Sequence, residues 1–453
     1  MGESSQIAEW LVSRSVLQTP TYSNQCQAPE WLVGPPEWGT DDAGALVIGG
    51  DYRGLGTVRS LGRRKIPVWV LTGEHLIAGV SRYARRRFIW PAAEEERQIE
   101  YLVRLGEQHN LRGWALFPSG DETAATIARH HAALRNQFRL TVPPWDVLQW
   151  AYDKRLTYRL ASMVGVHFPQ THTFTCREEI ARLECAFPAV LKPAVKPKLN
   201  RFTAAKAWRV EDRQSLLQGY DEASKMLDPN AIMIQELIPG SGEQQFSYAA
   251  LCLDGRPLAA LVARRTRQFP ADFGRSSTFV ETIDDKEIEE AGRRLVSAIG
   301  FTGLVEVEFK RDPRDGLHKL LDINPRIWGW HTLGRRAGID FSFLLWRLIQ
   351  GESLSERRGV AGVRWMRMST DVAAAVAEMW RGRLSVGAYV KSLFSPVESA
   401  IFAADDPLPA LLELPLGAYV ILKRHWIRLR RNANAGSDLD DCVSRVNGQE
   451  NLT

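Results

Sequence analysis

The 453 residues are 45% hydrophobic and 25% charged, the balance of a soluble globular protein, and the length implies two to four domains. A net charge of +5 over so long a chain, with no stripe of interleaved aromatic and basic residues, argues against a nucleic-acid partner; it suits an anionic substrate such as a nucleotide. Five scattered cysteines without CxxC spacing argue against zinc and against a disulfide framework. The absence of any membrane-length apolar run, or of a signal peptide's apolar centre in the first thirty residues, predicts a soluble cytoplasmic protein.

Residues 1–43 read as an irregular extension holding Trp10, Trp31 and Trp38, with one short helix near Ile7–Val16. ALVIGGDYRGLG (45–56) is a buried strand running into glycines, followed by a helix, TVRSLGRR, and a second strand, IPVWVLT (66–72). This βαβ start predicts a parallel sheet. Gly49, Gly50, Gly54 and Gly56 do not fit the G-x-G-x-x-G dinucleotide spacing, although Glu74 stands where a ribose-binding acid would. A tight strand-to-helix turn is therefore preferred, with an NAD-dependent dehydrogenase as a remote alternative. WALFPSGDETAATIARH (114–130) is strand, loop and helix; Asp121 and Glu122 suit the helix dipole, and bordering a substrate cleft is the second reading.

From Pro143–Pro144 a new region begins. WDVLQWAYDKRLTYRLASMVG (145–165) predicts one helix, with Lys154 opening its second half. FPAVLKPAV (187–195) is a strand carrying Lys192 in an apolar run, where a lysine either snorkels at the strand end or faces an anion in a cleft. The basic segment 196–210, with Lys206, is either a loop closing over phosphates or a solvated loop. AIMIQELIPG (231–240) is a buried strand ending in a Pro-Gly turn, and residues 242–269 form a hairpin around a DG turn. A helix over 285–299, capped by Gly300, leads into LVEVEFK-RDPRDG-HKLLDIN (304–324), a second hairpin. Alternation places Glu306 and Glu308 on one face and Asp322 and Asn324 on another. If the strands pair around Pro313–Asp315, these faces coincide as a cluster of oxygen ligands suited to Mg²⁺ or Mn²⁺, with Arg326 beside it to hold an anion. A surface hairpin with solvated charges is the competing reading.

Together these segments resemble an ATP-grasp ligase over residues 145–350. They are similar to the subgroup of carboxylate–amine ligases that includes D-aspartate ligase-like proteins. The carriers are DK (153–154) before a helix and GVHFPQT, PAVLKP, IMIQELIPGSGEQ, and VEF…LDINPR, in family order. The resemblance implies an α/β fold of the α+β ATP-grasp type. A Rossmann-like domain (44–144) would precede a two-lobed ATP-grasp domain (145–352, lobes about 145–225 and 226–352). A helical C-terminal region (353–431) and a disordered tail (432–453) would follow. It further implies that Lys154, Lys192 and Lys206 contact ATP phosphates, and that Gln235, Glu236, Leu237 and Ile238 form the hinge reading adenine. Glu243, or adjacent Gln244, would bind ribose. Glu308, Asp322 and Asn324 would bind Mg²⁺, and Arg326, Lys192 and Arg267 would act in catalysis, with Arg264 and Gly274 facing the acceptor. Asp322 departs from the family's glutamate, and the phosphate loop lacks glycine.

The implied activity is C–N bond formation between a carboxylate and an amine through an acyl phosphate, with ATP converted to ADP and phosphate. The rivals are a phosphotransferase of the same fold and a non-catalytic nucleotide-binding regulator. The basic stretch 417–431 is expected to pack on the catalytic domain, ahead of contact with an anionic membrane, and a homodimer is open to the chain.

Overall fold

The computed structural model describes residues 28–38, 43–174, 176–195, 200–205, 207–240, 242–269, 276–394 and 397–423. The helix expected near Ile7–Val16, Lys206, Gly274 and the tail 432–453 lie outside the described residues.

Strands β1 (Ala45–Ile48), β2 (Val68–Thr72), β3 (Ala84–Ile89), β4 (Ala115–Pro118) and β5 (Arg139–Leu140) form a parallel sheet in the order β3-β2-β1-β4-β5. β1 and β2 are buried along their whole length, which explains their unbroken apolar runs: helices cover both faces. Three of those helices are α1 (Tyr52–Gly62), α2 (Glu95–Gln108) and α3 (Asp121–Arg129). The β1–α1 turn uses Gly49 at φ +134°. Asp51 then caps α1, accepting from the amides of Arg53 (2.9 Å) and Gly54 (3.4 Å). A carboxylate of the chain itself thus sits at the helix N-terminus where a dinucleotide pyrophosphate would bind, which removes the support for the dehydrogenase reading.

The single helix expected from 145 is two, α4 (Trp145–Tyr152) and α5 (Lys154–Met163). Asp153 is extended between them and caps α5 through the Arg155 amide, so Lys154 sits in the first turn. Next, β6 (Thr171–Thr173), β7 (Ala189–Pro193), β8 (Trp208–Val210) and β9 (Ile232–Glu236) make a small antiparallel sheet, β6-β9-β7-β8, backed by α6 (Arg213–Ala223).

The third sheet is built from β10 (Gln245–Leu253), β11 (Arg256–Phe269), β12 (Ser276–Ile283), β13 (Gly303–Arg311) and β14 (His318–Asn324). Asp254 and Gly255, at φ +47° and +75°, make the tight β10–β11 turn that the DG pair demands. α7 (Lys286–Ile299), closed by left-handed Gly300, packs on one face against Val305, Val307, Phe309, Leu320 and Ile323. The opposite face packs on α1 and on α8 (Leu333–Arg336) and α9 (Phe341–Ile349), joining the core under the parallel sheet. The region beyond 352 is not purely helical as expected. Besides α10 (Met368–Trp380) and α11 (Val386–Leu393) it adds β15 (Arg357–Arg358), β16 (Arg364–Met366) and β17 (Val397–Ser399), giving the order β14-β13-β10-β11-β12-β16-β17 with β15 beside β11. Two- and three-residue strands are too short to show a period, and they form here because the sheet offers free edges and Trp365 is buried. Among the described residues no helix is long and apolar enough to cross a membrane.

Candidate active site

The β13–β14 hairpin pairs Glu306 with Asn324 and Glu308 with Asp322, so the two polar faces coincide. Alternation turns Val305, Val307 and Phe309 toward α7 and leaves the acids on the face toward the parallel sheet. Asn324 Nδ2 donates to Glu306 Oε2 (3.1 Å) and Glu308 Oε1 (3.0 Å), bridging the two carboxylates. Glu306 is buried and also accepts from Ser247 Oγ (3.0 Å) and Trp330 Nε1 (2.8 Å). Burial, then the Glu308 charge, pushes its carboxyl up to about 7 against Arg265 and Arg326.

Cations converge on this face from three elements. Lys154, at the start of α5, donates to Asp322 Oδ1 at 2.7 Å. Burial opposes its charge, but the Asp322 carboxylate outweighs that and holds its pKa above the ordinary value. Lys192 reaches across from β7 and donates to Tyr158 Oη (2.9 Å), Gln235 Oε1 (3.3 Å) and the Leu321 carbonyl (3.3 Å). Burial and the neighbouring Lys154 push its pKa down to about 7, although Asp322 and Glu308 pull the other way. The Lys192 ammonium thus turns inward onto three oxygens instead of ending in solvent. Arg326 donates to Asn324 Oδ1 (3.1 Å) and pairs with Asp121 at 2.7 Å.

Asp121 therefore does more than favour the α3 dipole: it brings the parallel-sheet domain onto the hairpin. Glu122 beside it accepts from Tyr152 Oη (3.1 Å) and is pushed up to about 7 by burial. Asp121, Glu122, Lys154, Asp322 and Asn324 line one crevice of about 30 Å³.

The expected hinge, Gln235 to Ile238, straddles the end of β9. Gln235 is buried, its amide donating to Thr171 Oγ1 (2.8 Å). Glu236 accepts from the Gln170 amide (2.9 Å), Arg314 (2.7 Å) and Lys319 (3.2 Å), partners that hold its carboxyl below the usual range against burial. Arg314 and Lys319 also hold Asp312, fully buried in the β13–β14 turn, so one charge network ties the hinge to the hairpin. Lys310 donates to the Ile238 and Gly240 carbonyls (2.8 and 2.9 Å). Leu237, Ile238 and exposed Glu243 line a cavity of about 1240 Å³ flanked by β11, β12, α10 and α11.

Arg267, expected to act in catalysis, also lines that cavity, and its guanidinium lies apart from the hairpin carboxylates. It forms a two-pronged pair with Asp371 of α10 (2.9 and 2.8 Å), both side chains buried, and lies 4.1 Å from the Phe279 ring. The arginine that reaches Glu308 (3.5 Å) is Arg265, which regular alternation along β11 places on the face of Ser247 and Glu308; the pairing of β11 with β12 becomes irregular only beyond it, at Arg265–Arg267. Arg264 pairs with Glu281 at 3.6 Å. Glu306 was expected on this face from its alternation with Glu308, whereas Arg265, Tyr158 and Trp330 went unnoticed in the sequence.

Two carboxylates and an amide oxygen, from Glu308, Asp322 and Asn324, are hard donors that suit Mg²⁺. Among the described residues no three His, Cys, Asp or Glu side chains could hold a metal together. The set therefore fits an ion that takes its remaining oxygens from phosphate and water.

A family model described as "ATP-grasp in the biosynthetic pathway with Ter operon" matches residues 228–369. The chain is similar to D-aspartate ligase of Enterococcus faecium (strain Aus0004), 25% identical over 50% of this chain and 57% of that protein, so it spans little more than half of that relative. Among solved structures it is similar to an L-amino acid ligase from Bacillus licheniformis (TM-score 0.54, 18% identity, covering 69% of this chain and 75% of the other). It also resembles the ADP complex of purK, N5-carboxyaminoimidazole ribonucleotide synthetase (TM-score 0.52, 13% identity, covering 71% and 80%). Residues 228–369 thus match an ATP-grasp family model, and the chain shares its fold with these solved structures.

Proposed function

We propose that this protein is an ATP- and Mg²⁺-dependent ligase joining a carboxylic acid to an amine, and that it works in the cytoplasm. The observation that carries this reading is the gathering of Glu308, Asp322, Asn324, Lys154, Lys192 and Arg326 on one side of a rigid hairpin. Phosphoryl transfer needs mainly positioning and charge neutralisation, and these residues supply both. Mg²⁺, when bound, would neutralise the phosphate oxygens.

In the first step a substrate carboxylate oxygen attacks the terminal phosphorus of ATP, the bond to the bridging oxygen breaks, and ADP leaves an acyl phosphate. The amine then attacks the carbonyl carbon, phosphate departs, and the nitrogen loses a proton. Lys154 and Lys192 would lie against the phosphates, and Arg326 would hold the reacting carboxylate. Glu236 positions the hinge through Arg314 and Lys319, and Leu237, Ile238 and Glu243 border the space for adenine and ribose. Lys154 is paired with Asp322 here, so nucleotide binding exchanges that carboxylate for phosphate on the ammonium. The similarity to D-aspartate ligase makes D-aspartate the first acid to try.

The test is phosphate release from ATP with the acid fixed and amines varied, the product read by mass. Release that requires both partners and gives a mass equal to acid plus amine minus water is expected. Release independent of amine, with a phosphorylated product, would make the protein a phosphotransferase; no turnover with any pair would leave a nucleotide-binding regulator.

A further inference from the structure

Residues 408–423 are helical, and the buried Pro409, Leu416 and Val420, with half-buried Leu412 and Glu413, fall on one side of that helix. Glu413 fixes it to the start of α10, accepting from Arg367 (3.1 Å) and Ser369 Oγ (2.6 Å). The outward side carries no charge. Every exposed residue from Leu408 to Leu422 is uncharged, and Leu411, Leu414, Ile421 and Leu422 are 68 to 72% exposed. α10, which begins beside Glu413, adds a second row: Met368, Val372, Val376 and Trp380, four residues apart and all exposed. A surface helix normally turns charged and polar groups to water, so apolar rows left outside mark an interaction surface.

Charge says what covers it. Lys423, Arg424, Arg428, Arg430 and Arg431 follow directly, and no acid occurs between Leu414 and Ser437. The rest of the chain holds 53 basic and 53 acidic residues, so this one segment carries the whole net charge of +5. Tyr419 and Trp426 place aromatic rings beside these cations, the residue types that favour the boundary between lipid and water. Within 417–423, the described part of the stretch expected to pack on the catalytic domain, only Val420 is buried. A two-fold contact with a second copy would set the like charges of this segment against each other. The apolar stretch 408–422, interrupted by Pro409, Glu413 and Pro415, is also too short for a span, which takes about 20 residues.

We propose that this face docks on an anionic lipid bilayer. The helix lies along the surface with its apolar rows in the headgroup boundary, and the cations of 423–431 meet anionic headgroups. None of the residues in the two rows lines the carboxylate crevice or the large cavity beside the hinge, so docking occupies neither.

The experiment floats the full chain with phosphatidylcholine vesicles containing about a third phosphatidylglycerol, and with vesicles of phosphatidylcholine alone. Binding to the anionic vesicles is expected to be at least about a hundredfold tighter at low salt, each cation contributing about fivefold, and to weaken as salt rises. Leu411→Asp with Leu414→Asp, both on the outward side, should weaken it at least about tenfold, with the unfolding midpoint and the oligomeric state unchanged. Arg428→Gln, Arg430→Gln and Arg431→Gln together should weaken it about a hundredfold on anionic vesicles only. No flotation, equal affinity for both vesicles, or binding that survives the two aspartates overturns the assignment. So does a dimer that the two aspartates break, which would make a second copy the occupant.

Discussion

Lys192→Met removes the ammonium that β7 carries into the cleft and leaves an unbranched chain in its place. Because burial and Lys154 hold Lys192 at about 7 instead of 10.5, its protonated form costs the fold free energy. At about 1.4 kcal/mol per pH unit of displacement, that cost is on the order of 5 kcal/mol below pH 7. Methionine leaves Tyr158 Oη, Gln235 Oε1 and the Leu321 carbonyl without this donor, a loss of about 1–3 kcal/mol. The variant should therefore be more stable than the parent by about 2–4 kcal/mol at pH 6. Between pH 7 and 10.5 the unfolded parent holds one proton more than the folded parent, so its stability rises with pH through that window. The variant lacks this dependence, and the gap closes toward pH 10. Urea unfolding midpoints at pH 6, 7.5 and 9, beside ATP turnover, measure both halves of the effect. A variant no more stable at pH 6, a gap that ignores pH, or retained turnover would refute the reasoning.

Nucleotide binding should take up protons near pH 7.5, since phosphate beside Lys192 raises its pKa; calorimetry in buffers of different ionisation enthalpy gives the number, and no uptake counts against Lys192 as a phosphate contact. Asp322→Asn, which takes the charge from a ligand and the partner from Lys154, should lower turnover at least about a thousandfold with the fold intact; near-normal turnover would remove Asp322 from the metal site. Arg267→Met should destabilise the protein by about 3–5 kcal/mol by stranding buried Asp371, seen as a lower unfolding midpoint; an unchanged midpoint with lost turnover would point to a catalytic role instead. Arg314→Gln should raise the KM for ATP roughly threefold to tenfold with kcat little changed, because it loosens the Glu236 hinge; an unaltered KM would show that the network does not govern nucleotide binding.

Local chemistry was enough to reveal the β13–β14 hairpin. Alternating acids, an Asp-Pro-Arg-Asp-Gly turn and the LDINPR stretch are contiguous, so strand period and turn residues alone imply that Glu308 meets Asp322. The parallel βαβ start and the DG hairpin were legible for the same reason: each depends on neighbours within some twenty residues. What the chain could not announce is which distant groups meet. Asp121 grips Arg326 across 205 residues, and Arg267 is claimed by Asp371 across 104. The register that sets Arg265 beside Glu308 across β10 exists only once three strands are paired. Glu306 looked like one more alternating acid until Trp330 and Ser247 closed over it. Ion pairs and burial depend on distance in space, which sequence separation does not encode, and so the ligand set could be read in one dimension while its charge balance needed three.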